Sequence, residues 1–317
     1  MDFRHGFYLK NTYFFRKLIL PVLLTILLLC GCGQPKHEAY VSTSTALRDN
    51  TPVCLVPSAD GTTMLSNDFV DIDASHTQDG YIMVLYKGTS PKVKLQIIGP
   101  DYMTYTYDLL SEDYEVFPLS AGDGIYQLGV YENVDGNQYA TVFAEQMDVI
   151  LSNPYGPFLY PNQYVKFEAS DNVVSKAKEL VATAHDDLEA ISLVYNYVTA
   201  NITYDYDKAS SVQSGYVPDP DEILSAKTGI CLDYASVMAS MLRSQQIPTR
   251  LEVGYAGEAY HAWISTYVEN QGWINGIIQF DGQSWSLMDP TFAANTGESE
   301  LKSFIGDGSN YVTKYIY

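Results

Sequence analysis

The chain has 317 residues, of which 46% are hydrophobic and 18% are charged. A chain of this length and hydrophobic content can bury a sizeable core, which excludes wholesale disorder and suggests about two domains. The 38 Asp and Glu residues outnumber the 18 Lys and Arg residues and give a formal net charge of −20. Because nucleic-acid phosphates require a basic surface, we expect no nucleic-acid partner.

The N-terminus has the pattern of an export signal. Basic residues in 1–17 precede an apolar run over 18–29, which is shorter than the ~20 residues of a comfortable membrane span but suits a signal peptide. The run ends in Leu-Cys-Gly-Cys at 29–32, which resembles the lipobox of bacterial lipoproteins. This resemblance implies a signal peptide over 1–31, lipidation of Cys32, and an extracytoplasmic protein anchored by lipid to the bacterial cell membrane. An uncleaved short anchor would tether the chain to a membrane as well.

Residues 32–67 are interpreted as a flexible tether and lead-in, because the stretch 33–52 is polar. Two cysteines follow Cys32. Cys54 and Cys231 could form a disulfide in an oxidising compartment, but the apolar setting of Cys54 favours an inert buried thiol. The sequence has no Cys-x-x-Cys pair and its histidines are scattered, so we expect no structural zinc site.

Residues 68–151 have the pattern of short strands. Runs rich in β-branched and aromatic residues are separated by Gly and Asp clusters and predict strands over 81–86, 93–98, 102–107, 114–119, 125–131 and 139–149. Asp135-Gly136 predicts a hairpin turn. We expect an all-β, sandwich-like accessory domain. No catalytic constellation occurs in it, and a ligand-binding role stays open.

Residues 152–171 are rich in proline and asparagine and are interpreted as a linker. The region 172–317 then begins with helical periodicity. Apolar spacing predicts a helix after the cap signal Asp186-Asp187, a helical turn over 222–226 and a helix over 230–246. Strands are predicted over 250–255, 261–269, 273–280 and 284–288. Helices followed by an antiparallel sheet indicate an α+β fold.

Three residues in this region form a candidate catalytic set. Cys231 falls in the first turn of its predicted helix, behind Gly229, where unpaired N–H groups and the helix dipole favour the nucleophilic thiolate. His261 opens a strand, and Asp289 ends the next strand but one, followed by Pro290. Neighbouring strands could place Asp289 beside His261 and fix the imidazole tautomer. Each residue alone also fits a structural role, so the prediction depends on the joint pattern.

Four motifs in this order resemble the bacterial transglutaminase-like superfamily. They are Gly-Ile-Cys-Leu-Asp-Tyr-Ala at 229–235, Ile-Pro-Thr-Arg at 247–250, His-Ala-Trp at 261–263 and Asp-Pro-Thr at 289–291. The resemblance covers about residues 185–295. It implies a papain-like transglutaminase core, with Cys231 as nucleophile, His261 as general base and acid, and Asp289 as the orienting carboxylate. It implies no cofactor.

Other residues of the resemblance carry weaker expectations. Tyr204 matches a position that lines the oxyanion site, so it is a candidate donor beside the Cys231 N–H, although simple packing explains a tyrosine there equally well. Trp263 and Asp233 fit packing and helix N-terminal roles better than chemistry. Gln246 replaces the family's usual glycine before Ile-Pro. The acidic stretch 219–222 lacks EF-hand spacing and is interpreted as solvated loop charge, without a metal.

The implied chemistry is acyl transfer through a Cys231 thioester. Attack by an amine would give cross-linking, and attack by water would give amidase or cysteine protease activity; the sequence does not choose between them. The expected substrate is a protein or peptide amide, for which cell-wall and surface proteins are candidates. The alternative is a non-catalytic surface protein that binds peptide or cell wall with the same cleft.

Overall fold

A computed structural model describes residues 42, 44–275, 277–280, 285–288 and 311–317. All of them belong to one compact unit, Glu38–Tyr317. The predicted signal peptide and Cys32 lie outside the described residues.

The N-terminal half consists of strands that form two antiparallel four-stranded sheets. The first sheet has the order β1-β2-β3-β6 and the second has the order β5-β4-β7-β8. The strands are β1 (Met64–Ser66), β2 (Val70–Asp73), β3 (Tyr81–Tyr86), β4 (Val93–Ile98), β5 (Thr104–Asp108), β6 (Glu115–Pro118), β7 (Gly124–Asp135) and β8 (Gln138–Val149). The all-β character predicted for this half is confirmed.

Period-two alternation explains why these segments form strands. In β4, Val93, Leu95 and Ile97 are buried while the residues between them are half-buried, so one face of the strand lies on the core. β3 and β4 match the predicted strands to the residue. The predicted hairpin is confirmed as well, because β7 and β8 pair across Gly136, whose φ of 51° suits a tight hairpin turn.

The C-terminal half begins with helices. They are α1 (Asn172–Val181), α2 (Asp187–Asn201), α3 (Tyr206–Ser211), α4 (Pro220–Ala226) and α5 (Cys231–Arg243). The predicted cap of α2 is confirmed, since the Asp186 carboxylate accepts a hydrogen bond of 2.9 Å from the Glu189 N–H. The short strands β9 (Thr203–Tyr204) and β10 (Thr228–Gly229) pair in parallel before α5.

Strands form the rest of this half. They are β11 (Thr249–Ala256), β12 (Ala259–Val268), β13 (Gly272–Asn275), β14 (Ile277–Phe280), β15 (Trp285–Met288) and β16 (Tyr311–Ile316). The main antiparallel sheet has the order β13-β12-β11-β16, and β14 pairs with β15 in a separate sheet. The single strand predicted over 273–280 is therefore wrong, because its two halves belong to different sheets. The α+β class is confirmed.

Helix α5 is the centre of the C-terminal half. It contacts α1, α2 and α4 and packs against β11 and β12. Its residues from Asp233 to Arg243 are all buried. Arg243 is 1% exposed and donates hydrogen bonds to three main-chain oxygens, those of Thr249, Tyr160 and Tyr317, at 2.6 to 2.9 Å. These bonds connect the end of the helix to the linker region and to the C-terminal strand.

Buried side chains of both halves belong to one continuous hydrophobic cluster. Tyrosine rings connect the halves: Tyr107 of β5 lies 5.9 Å from Tyr317, and Tyr317 lies 4.4 Å from Tyr164, measured between ring centroids. The domain boundaries predicted at 151 and 172 stay a prediction. The two halves nevertheless bury apolar surface against each other.

The segment before β1 also contacts the helical half. Its Arg48 bonds Asp187 at 2.5 Å and the main-chain oxygen of Gln245, while the Val53 N–H bonds the Ser244 oxygen at 2.9 Å. Residues 48–53, at the end of the predicted tether, are therefore hydrogen-bonded to the core. None of the helices in the described part of the chain has both the length and the apolarity needed to cross a membrane.

Candidate active site

Helix α5 places Cys231 as its first helical residue, as the sequence predicts. Ile230 is the N-cap residue and is extended, with φ −98° and ψ 177°. The N–H groups of the first helical turn have no partner within a helix, and the aligned peptide dipoles place partial positive charge there. Cys231 is a free thiol of intermediate exposure. Its side chain is therefore partly accessible at the start of the helix.

Near the other end of α5, Gln246 occupies the position at which the resemblance predicts a glycine. The Ile247 N–H bonds the Leu242 oxygen at 3.0 Å, and the exposed Gln246 takes a φ of 60°. This is the left-handed conformation in which helices commonly end and which glycine adopts most easily. The helix therefore ends in the turn expected for a glycine, with a glutamine under strain.

The parallel pair of β9 and β10 brings Tyr204 beside the nucleophile's segment. Tyr204 is directly opposite Gly229, and the Asp205 N–H bonds the Gly229 oxygen at 2.9 Å. Tyr204 is partly buried, packs on the hydrophobic cluster and has a T-shaped contact of 5.0 Å with the Tyr206 ring. Tyr204 is thus paired with a residue that precedes Cys231 by two positions. The role of its hydroxyl group stays a prediction.

His261 lies on the strand that packs against the nucleophile's helix. It is the third residue of β12, is 6% exposed, and stands opposite Gly254 of β11. α5 packs directly on β12. Its neighbour Tyr260 is close enough to Cys231 for the two side chains to interact electrostatically; burial first and then surrounding groups, Cys231 among them, raise the pKa of Tyr260. Helix α5 and strand β12, which carry Cys231 and His261, are therefore in contact.

Gly254 is required by the close approach of strand β16. A side chain on Gly254 would place its Cβ 2.1 Å from the main-chain oxygen of Val312. The register between β11 and β16 shifts between Val253 and Gly254, which marks an irregularity at the level of His261. The packing role expected for Trp263 is confirmed: it is 3% exposed and its ring contacts Tyr311 at 5.0 Å.

Asp289 lies outside the described residues, so its place beside His261 stays a prediction. The strand before it, β15, pairs with β14 rather than joining the sheet that contains β12.

Asp233 stabilises the first turn of α5. Its carboxylate accepts hydrogen bonds from the Ile230 N–H at 2.8 Å, from the Lys208 ammonium at 2.5 Å and from the Tyr216 hydroxyl at 2.6 Å. The expected helix N-terminal role of Asp233 is confirmed. The sequence analysis missed Lys208 and Tyr216. The signal available was that Lys208 is the one basic residue between Lys178 and Lys227.

Two residues of the acidic stretch 219–222 cap helices, contrary to the expectation of solvated loop charge, whereas Glu222 is exposed. Asp219 caps α4 by accepting from the N–H groups of Asp221 and Glu222, both at 3.1 Å. Asp221 caps α1 by accepting from the Asn172 and Val173 N–H groups at 2.9 and 2.7 Å. Within the described residues, no group of three or more His, Cys, Asp or Glu side chains is arranged to hold a metal ion.

Cys54 and Cys231 are both free thiols. Cys54 is half-buried rather than fully buried, and burial raises the pKa of its thiol. His76 and His185 have structural roles. His76 bonds Asp79 and Asp60, and these bonds raise its pKa, while His185 bonds Glu189.

Comparison with known families finds a match in the C-terminal half. Residues 174–276, about a third of the chain, match the family model of the transglutaminase-like superfamily. The matched segment runs from α1 to the end of β13 and includes Cys231 and His261, while Asp289 lies beyond it. The chain therefore contains a transglutaminase-like domain.

Similar proteins are distant. The UPF0252 protein MJ1282 of Methanocaldococcus jannaschii is 28% identical over 129 residues, covering 37% of this chain and 35% of that protein. The chain thus spans about a third of the length of this curated relative. Two solved structures have TM-scores of 0.35: a candidate cysteine protease from Cytophaga hutchinsonii (15% identity, covering 73% of this chain and 69% of that chain) and the periplasmic domain of TgpA from Pseudomonas aeruginosa (13%, 78% and 100%).

Proposed function

We propose that this chain, with its transglutaminase-like domain, is a thiol enzyme that acts on protein or peptide amides. The observation that carries the proposal is the position of Cys231 at the first residue of α5, the helix that packs against the strand that carries His261. A nucleophile on a helix end facing a base on a strand is a rigid arrangement, as covalent catalysis requires.

The first step forms a thioester. The Cys231 sulfur attacks the carbonyl carbon of the amide, and the bond between that carbon and the amide nitrogen breaks. His261 donates a proton to the leaving amine. The helix N-terminus favours the thiolate before attack, and Asp289 is proposed to hold the imidazole in its productive tautomer.

Negative charge develops on the carbonyl oxygen during this attack. The Cys231 N–H at the start of α5 is one proposed donor to this oxygen, and the Tyr204 hydroxyl is the second. The β9–β10 pair supports this assignment, since it fixes Tyr204 opposite Gly229, two residues from the nucleophile.

The second step releases the acyl group. A second nucleophile attacks the thioester carbon and gives its proton to His261, and the Cys231 thiolate leaves. An amine acceptor makes the enzyme a transferase, whereas water makes it an amidase or protease. We propose that the reaction takes place outside the cytoplasm of a bacterial cell, at a membrane to which lipidated Cys32 anchors the chain, with cell-wall or surface proteins as substrates.

The test is turnover by matched variants. Incorporation of a fluorescent alkyl amine into a glutamine-bearing protein reports transfer, whereas release of ammonia without incorporation of the amine, or the appearance of new amino termini, reports hydrolysis. We expect one of these activities in the wild-type chain, and loss of at least about a thousandfold in Cys231→Ala and in His261→Ala. Cys54→Ala is the matched control and should retain full activity.

Trapping of the thioester completes the test. Mass spectrometry should find the acyl adduct on Cys231 in the wild-type chain and not in Cys231→Ala. Turnover that persists in Cys231→Ala would contradict the proposal. A well-folded wild-type chain that binds peptides without ever forming an adduct would instead support a non-catalytic binding protein.

A further inference from the structure

A buried ionic cluster adjoins the first turn of α5, and the mechanism above does not use it. The Lys208 ammonium bonds both the Asp233 carboxylate, at 2.5 Å, and the Tyr216 hydroxyl, at 2.6 Å. The Tyr216 hydroxyl in turn donates to the other oxygen of Asp233, and the Lys208 ammonium lies 4.3 Å from the centre of the Tyr216 ring. Each member of the cluster thus contacts the other two.

Burial makes this cluster energetically important. The Asp233 side chain is fully buried, and the Lys208 side chain is 28% exposed. Burial of a carboxylate without partners is strongly unfavourable, so the buried Asp233 side chain depends on the positive charge of Lys208 and on its hydrogen bonds. Burial, followed by the bond to Asp233, raises the pKa of the Tyr216 hydroxyl, which therefore stays protonated and acts as a donor.

The position of Asp233 creates a conflict with the proposed role of Cys231. A carboxylate in the first turn stabilises the helix, and Asp233 also accepts the Ile230 N–H. A negative charge two residues after the nucleophile, however, opposes formation of the Cys231 thiolate. The Lys208 charge lies against this carboxylate and offsets its effect.

We propose that Lys208 is a positioning residue that neutralises Asp233, so that Asp233 can hold the first turn of α5 without suppressing the Cys231 thiolate. Lys208 belongs to α3, within the excursion 205–227 between β9 and β10. The contact therefore also fixes this excursion beside the nucleophile. This inference rests on the proposed role of Cys231 as an activated nucleophile.

Other ionisable groups near the site are accounted for. His261 and Tyr260 belong to β12 and Tyr204 belongs to β9. Asp219, the N-cap residue of α4, and Glu222 of α4 interact electrostatically with Tyr216. All of them remain in place in the variants below, so differences between variants report the cluster.

The test is the pH dependence of Cys231 alkylation by iodoacetamide in the full chain with Cys54→Ala, followed by mass spectrometry on the peptide that contains Cys231 so that labelling of Cys30 or Cys32 does not contribute. Lys208→Met leaves Asp233 uncompensated and should raise the pH midpoint by about one unit. Asp233→Asn leaves the Lys208 charge uncompensated and should lower the midpoint by a similar amount, while its amide oxygen can still accept the Ile230 N–H. The double variant should return close to the wild-type midpoint.

Two controls separate charge from structure. Lys208→Arg keeps the charge and should keep the wild-type profile. Lys176→Met removes a lysine on α1 that pairs with Glu179, away from the site, and should leave the midpoint unchanged. Thermal melting of each variant verifies that it is folded.

Lys208→Met and Asp233→Asn are expected to shift the pH midpoint of Cys231 alkylation in opposite directions, and this difference tests the inference. Shifts in the same direction for Lys208→Met and Asp233→Asn, or no shift in either folded variant, would overturn the inference. The proposed function fails in a different way, namely if Cys231 of the wild-type chain reacts as an ordinary thiol. The direction in which each variant moves the pH midpoint can still be measured in that case.

Discussion

Gln246 replaces the glycine of the family pattern, but the backbone at this position has a conformation typical of glycine. Its φ of 60° is the conformation that the usual glycine would adopt, and its side chain is exposed. A left-handed conformation costs a residue with a Cβ about 1 kcal/mol relative to glycine. The sequence identified this position as a cap but could not show that the conformation is retained, because a glutamine carries no signal for it.

Replacement of Gln246 by glycine should therefore stabilise the protein. We expect Gln246→Gly to raise the free energy of unfolding by about 0.5 to 1 kcal/mol, since relief of backbone strain exceeds the added entropy of the unfolded chain. Urea denaturation measures this change. Gln246→Ala is the matched control, because it removes the same side chain but keeps the Cβ; equal stability of the two variants would show that the strain is absent.

Single residues were predicted with unequal success. Cys231 was placed correctly because a helix N-terminus is a local feature that glycine and apolar spacing indicate together. Lys208 was missed because its partner Asp233 is 25 residues away and the contact arises only when β9 pairs with β10. The role of Asp289 as the carboxylate that orients His261 stays a prediction.

At the scale of elements, local patterns predicted strands well and their partners poorly. β4 follows directly from alternating buried residues, and β3 follows from its run of β-branched and aromatic residues. The β16 segment has a comparable run of β-branched and aromatic residues that could have been identified, but its pairing with β11 joins segments about 60 residues apart. The predicted strand 273–280 is divided between two sheets, and this division depends on tertiary contacts that hydrophobic periodicity does not reveal.

The pairing of β11 with β16 leads to a prediction about Gly254, the residue opposite His261. Gly254→Ala would force the added Cβ against the Val312 main-chain oxygen, so β16 would have to move. We expect a loss of about 2 kcal/mol or more in the free energy of unfolding, together with slower reaction of Cys231, because Gly254 stands opposite His261.

The matched control is Gly257→Ala, at a glycine in the turn after β11 that has open space around a Cβ. Its φ of 61° makes the substitution somewhat strained, but no neighbour has to move. It should cost about 1 kcal/mol and leave Cys231 reactivity unchanged. An equal effect of both variants on reactivity would contradict the proposed dependence of His261 on β16.

On the scale of the whole molecule, the two halves are joined by shared burial. Tyr107 and Tyr317 contact each other across them, Arg243 reaches Tyr160 and Tyr317, and Arg48 bonds Asp187. The sequence predicted the fold class of each half, because composition and periodicity are local. It could not predict their common core, since the tyrosines that form it give no indication of their partners.

This shared core predicts the behaviour of the separated halves. Residues 172–317 expressed alone should lose cooperative thermal unfolding and bind a hydrophobic dye, because the surface that the N-terminal half covers becomes exposed. The chain from residue 42 is the control and should unfold cooperatively. A 172–317 fragment that melts as sharply as the longer chain would instead support an independent catalytic domain with the boundary predicted at 172.

The central claim is that Cys231 is an activated nucleophile paired with His261. The most direct measurement is the rate of Cys231 alkylation against pH, in residues 33–317 with Cys54→Ala, compared with the same chain carrying His261→Ala. The account predicts fast labelling that persists well below the ordinary thiol pKa of about 8.5 and is lost with His261. Slow labelling that follows an ordinary thiol, unchanged by His261→Ala, would contradict it.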